Sequence, residues 1–144
     1  MSSPLKILPC LLALLLAAAA SVEAADAPLE DALLRFEGSF RWDAARGEHV
    51  FSDRPRLAAL LGPSPEQRLA ELAACIDDPR LAQATLDGKA VSLGVMCYQA
   101  LRLLAYVEKP DWPGHIGPLA KPAERRAARA AWQDALDEGA YVLH

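Results

Sequence analysis

Between Ser92 and Glu108 the apolar residues fall at Leu93, Met96, Cys97, Ala100, Leu103, Leu104 and Val107, an i, i+3, i+4, i+7, i+10, i+11, i+14 series without a miss. That period predicts one long helix with a continuous buried stripe. Tyr98, Leu101 and Tyr106 widen the apolar surface, and only Gln99 and Arg102 are strongly polar between Leu93 and Val107. A helix clad in this way must be wrapped on several sides, so the remaining chain has to be built around it. Gly94 costs about 1 kcal/mol of helix propensity and marks a close helix crossing.

The cysteines bind this helix to a second one. Lys6, the apolar run Ile7 to Ala20 and the small residues before Ala24 have the three-part layout of a secretory signal peptide over residues 1–24. Its 14-residue apolar stretch is shorter than the roughly 20 helical residues that a bilayer requires. Cleavage after Ala24 removes Cys10 and leaves Cys75 and Cys97, an even pair in an oxidising compartment, which predicts a disulfide. A redox or metal-binding thiol pair is the competing reading. Abundant Ala and Arg with no Asn look like GC-rich coding and favour a Gram-negative periplasm, or secretion, as the destination.

The 120 residues that remain form one domain, 25–144, with one modest core. Lys6 and Glu23 leave together, so the net charge stays at −4, which argues against a nucleic-acid surface or binding to anionic lipid. No membrane insertion is expected after cleavage, and nothing in the chain implies a cofactor.

Pro28 to Phe36 reads as a short helix opened by proline and followed by acids, with Gly38 as its stop. Ser39–Trp42 and Glu48–Phe51 flank a turn-like Asp43 to Gly47, as a small hairpin or an irregular loop, the hairpin fitting better. Asp53 precedes a helix over Arg54–Leu61. Ser64, Pro65 and Gln67 look like the capping box of another, whose stripe is Leu69, Leu72, Ala73 and Ile76. Thr85 to Val91 carries Asp87-Gly88, the strongest local signal for a two-residue hairpin turn. A last helix from Pro122 to Gly139 is expected to bury Ala128, Ala131, Trp132, Ala135 and Leu136 and to show Arg125, Arg126 and Arg129 to solvent. Ala140 to His144 should dock as a short apolar tail.

Chemistry-bearing residues are sparse. The mature chain has one Thr and four Ser, and none sits in a Gly-x-Ser-x-Gly elbow. His49, His115 and His144 are far apart with no i, i+4 pair, so no metal site is expected. Asp77-Asp78 lacks calcium-loop spacing and reads as a helix-ending turn. The loop Pro110 to Pro118 is the best binding candidate. Trp112 would be its anchor and His115 its titrating group, with Tyr98 on the neighbouring helix. The plainer reading fits better: Trp112 folds back to plug the end of the bundle, and Pro and Gly shape a tight connection.

Cys75-Ile76-Asp77-Asp78, Thr85-Leu86-Asp87-Gly88-Lys89, Leu93 to Leu101, Trp112-Pro113-Gly114 and Ala131-Trp132 occur in an order that resembles a family of small exported bacterial proteins. The likeness covers about half of the mature chain and implies no activity. More loosely, a ribbon leading into a helix and then a Trp-bearing helix is similar to helical-repeat modules, most of which bind other proteins. One unit is too few for a solenoid.

These readings converge on a mainly α protein: a small bundle of four or five helices with one short β-hairpin and one disulfide. The expected function is that of an exported, non-enzymatic interaction protein of inhibitor, immunity or adaptor type, whose partner is another protein. A small cell-wall hydrolase with a carboxylate pair and a carrier of a small apolar ligand are the alternatives.

Overall fold

The computed structural model describes residues 28–144. The leader expected at residues 1–24 lies outside the described residues. Helix α1 (Leu29–Arg35) is followed by the hairpin β1 (Ser39–Asp43) and β2 (Glu48–Phe51). Helix α2 (Arg54–Leu60) and a 3-10 turn over Pro65–Arg68 lead into α3 (Leu69–Ala74). A second hairpin, β3 (Leu81–Leu86) and β4 (Lys89–Ser92), feeds α4 (Leu93–Leu104). Then come β5 (Ala105–Tyr106), α5 (Pro122–Glu138) and β6 (Val142–Leu143).

The architecture is α+β, which corrects the expectation of a mainly α bundle. Five α-helices are present among the described residues, within the number expected, but the two hairpins fuse into one four-stranded mixed sheet of order β2-β1-β3-β4. The fusion is a parallel contact, Ser39 opposite Thr85 and Phe40 opposite Leu86, extended by Thr85 N–H donating to the Gly38 carbonyl at 3.0 Å. A two-stranded ribbon is marginal in water and leaves both edges unpaired. Joining β1 to β3 satisfies one edge of each ribbon and creates a single face broad enough to bury.

That face carries Phe40, Phe51, Ala82, Ala84, Leu86 and Val91, all buried. The opposite face exposes Ser39, Arg41 and Gln83, the period-2 alternation of a sheet with one side in water. Against the apolar side, α4 contributes Leu93, Met96, Cys97, Ala100 and Leu101, each fully buried. Helix α1 packs on β3 and α4, α2 on α4, and α5 on α3.

The joint between α3 and α4 explains why the Cys-Ile-Asp-Asp and Leu-Gly-Val-Met-Cys segments occur together. Cys75 and Cys97 form a disulfide across a Cα separation of 5.9 Å, closing the chain around the β3–β4 hairpin. Gly94 N–H donates to the Asp78 carbonyl at 3.0 Å, and a Cβ at Gly94 would overlap the Ile76 carbonyl. Asp77 holds Arg129 of α5 at 3.0 Å. Asp78 caps Arg80 N–H and pairs with its guanidinium, which also reaches Glu30 of α1 at 2.7 Å. The two acids do end a helix, as expected, and they also tie three helices together.

Local signals are met in several places. Asp87 and Gly88 have φ of 51° and 77°, the pair of positive values that a two-residue turn of this kind needs. Asp53 and Ser92 cap α2 and α4 through Arg56 N–H and Val95 N–H. Gly139, at φ 67°, ends α5.

Several expectations fail, and Ala131 and Leu136 of α5, expected to be buried, are half-buried. Ser64 makes no side-chain cap bond, and a 3-10 turn stands where a capping box was expected. The long helix stops at Leu104 rather than Glu108, because Ala105 and Tyr106 pair with Leu143 and Val142 of the docked tail. Arg125 is buried and Arg129 half-buried, so the arginine face of α5 is not a solvated stripe.

Candidate functional site

A groove opens where the edge strand β2 passes α4. One part, of about 240 Å³, runs along all of β2 (Glu48, His49, Val50, Phe51) with Arg54, Gln99, Arg102 and Leu103 opposite and His144 at one end. The adjoining part, of about 390 Å³, adds Trp42, Tyr98 and the loop residues His115 to Pro118. The two share Glu48, His49, Gln99 and Arg102.

The sequence folds this way for local reasons. Trp42 and His49 face each other across the β1–β2 hairpin, with their rings edge to face at 5.1 Å. They continue the inward row of Phe40 and Phe51 past the end of the core, and Trp42 is left 57% exposed. Gln99 and Arg102 are i, i+3 on α4 and therefore share a face. Arg102 Nη2 lies 3.3 Å from Glu48 Oε2, an ion pair that ties α4 to the sheet edge. Its guanidinium also lies 6.0 Å from the centre of the Tyr98 ring. Burial pushes the Tyr98 phenol above its ordinary value, with the Arg102 charge opposing.

Gln99 stands out within this set. It is only 5% exposed and lines both parts of the groove, and among the described residues its side-chain amide has no hydrogen-bond partner. Its amide atoms nonetheless reach the groove, since the Arg125 Nε is the buried side-chain nitrogen or oxygen that lacks a partner among the described residues, so the carboxamide is open to a group that enters.

The strand edge supplies further donors and acceptors. Ser52 N–H donates to the Ser39 carbonyl at 2.8 Å, which sets the antiparallel alternation so that Val50 and Glu48 bond inward to β1. The backbone groups of His49 and Phe51 then turn outward, toward the groove.

Of the three candidate binding residues, Tyr98 and His115 line the groove and Trp112 does not. Trp112 is half-buried and stacks edge to face on Trp132 at 4.9 Å, closing the end of the molecule as the plug reading holds. The buried Trp132 donates its indole N–H to the Gly114 carbonyl at 3.2 Å. A Cβ at Gly114 would overlap the Trp112 ring, so the fold-back needs glycine there. His115 packs against the other edge of Trp112, and its Nε2 lies 3.1 Å from the Lys109 carbonyl.

Sequence reasoning missed Trp42, His49 and Glu48 as site residues. Gln99 and Arg102 were visible as the polar breaks in an apolar helix. All three histidines, scattered in sequence, come to this one groove. Among the described residues, no group of three or more His, Cys, Asp or Glu could hold a metal ion. No helix there is long and apolar enough to cross a membrane. Chemically, the groove can stack, donate and accept. Its lining includes one carboxylate, Glu48, already engaged by Arg102. Comparison with protein-family models, curated proteins and solved structures finds no match for this chain.

Proposed function

We propose that this chain is an exported, non-enzymatic interaction protein, of inhibitor, immunity or adaptor type. It takes an extended segment of a partner protein along the free edge of β2. The observation that carries this reading is the free edge of β2, all four of whose residues line the groove, with the Gln99 carboxamide in the same lining. A carboxamide presents one acceptor and two donors, and so matches a main-chain peptide group in both senses. The outward backbone groups of His49 and Phe51 extend the same main-chain pairing, the mode by which a strand adds to a sheet edge. Trp42, more than half exposed beside them, supplies the aromatic anchor such interfaces favour. The hydrolase alternative has less support, because it needs two close carboxylates with different charge states.

Site-specific photo-crosslinking in the native host tests this. A photoreactive residue in place of Trp42 or of His115, on opposite walls, should capture the same protein. One in place of Gln83, on the outer sheet face, should not. Gln99→Met should weaken the captured partner's affinity by about 10-fold while the protein stays folded. Capture from Gln83 alone, or an unchanged affinity in Gln99→Met, rejects the groove.

A further inference from the structure

Beside the other edge of the sheet lies a buried polar group without a partner. Arg125 of α5 is 9% exposed, and the described residues supply no carboxylate in ion-pair contact with it. Its Nη1 donates to the Ala120 carbonyl at 2.8 Å, and its Nε is buried with no partner. A guanidinium has five N–H donors and is costly to bury without a counter-charge.

This side chain lines a cavity of about 360 Å³ whose other walls include Asp87, Lys89, Val91, Ser92, Val95 and Leu119. Lys89 adds a second cation, so two positive charges in the lining exceed the one carboxylate, Asp87, and Leu119 is an apolar side chain left 70% exposed at the rim. Along one side runs β4, the last strand of the sheet. The two-residue turn makes Leu86 and Lys89 a bonded pair, so the backbone groups of Ala90 point away from β3, toward the cavity.

We infer that this pocket binds the C-terminus of another polypeptide, one ending in an apolar residue. The α-carboxylate meets Arg125 and Lys89, the last side chain rests among Val91, Val95 and Leu119, and a main-chain amide pairs with Ala90. A carboxylate, an amide and an apolar group in a row describe a chain end. A fatty acid would provide the first and last of these but not the second. The site adjoins the β2 groove, sharing Val95 and Pro118 with it, but uses none of Trp42, His49, Gln99 or Arg102.

The test uses the disulfide-intact mature protein and a fluorescein-labelled hexapeptide ending in leucine, followed by fluorescence anisotropy. The free-acid peptide should bind, and its C-terminally amidated twin should bind at least about 10-fold more weakly. Arg125→Gln should cause a similar loss. Ala90→Pro removes the outward N–H without touching Arg125, and should also abolish binding with the melting temperature unchanged. Gln99→Met should leave this binding intact. Equal affinity for acid and amide, or binding of neither, overturns the proposal. So does octanoate competing as tightly as the peptide while Ala90→Pro has no effect, which would assign the pocket to fatty-acid carboxylates.

Discussion

The carbonyl of Ile76 occupies the space that a side chain at Gly94 would need, so the end of α3 rests directly on the first turn of α4. Gly94→Ala therefore sets two effects against each other. Alanine gains about 1 kcal/mol of helix propensity, while overpacking against a neighbour costs about 3 kcal/mol. The obstacle is backbone, which cannot rotate aside, so overpacking wins. Chemical denaturation should show a net loss of about 2 kcal/mol. A stabilised variant would mean that the helices are not in contact here.

The disulfide next to this contact closes a loop with a sequence separation of 22. In the chain-entropy model such a loop is worth about 3 kcal/mol. The double variant Cys75→Ala, Cys97→Ala should lose about that much in urea or guanidinium, and reductant should have no effect on it. Wild type should move to the same midpoint only when reduced. An oxidised and a reduced wild type of equal stability would show that the bridge is absent in solution.

Trp112 is expected to matter for stability rather than recognition. It covers Trp132, so Trp112→Ala opens a void at the end of the core and should cost about 2 kcal/mol, less than for a fully buried tryptophan. Trp132 fluorescence should shift to the red as water reaches the indole. Unchanged stability together with lost partner binding would restore Trp112 as an interface anchor.

Acid should loosen the tie between α1 and the start of β3. The Arg80 guanidinium beside Asp78 holds its carboxyl below the ordinary value of 3.8. A carboxylate depressed in the folded state contributes stability that is fully present above its unfolded value. That contribution disappears as the pH falls through the folded value, so the window lies below about pH 4. Asp78→Asn should be less stable than wild type at neutral pH and should converge with it in acid. Parallel curves for the two proteins across that window would rule out the linkage.

Much of the local structure was legible in the chain. The α4 stripe, the Asp87-Gly88 turn, the Gly94 crossing and the Cys75–Cys97 pairing depend on short-range periodicity, on backbone sterics at one or two residues, or on redox compartment. The candidate site was legible in part. Tyr98 and His115 were named, Gln99 and Arg102 stood out as polar breaks, and Trp112 packs on Trp132 outside the groove, as its plug reading has it. Trp42 and His49 could not be found, because their side chains meet only across a hairpin whose register the sequence left open.

Order along the chain thus determined where the polypeptide turns, where helices begin and which sulfurs join. Tertiary structure alone decided that β1 lies beside β3, that Arg125 is covered, and that three distant histidines share one groove. A strand's side-chain alternation records which face is apolar but not which strand completes its edge. Partner choice is set by the hydrogen bonds and buried area of the whole assembled sheet, quantities that no local window contains.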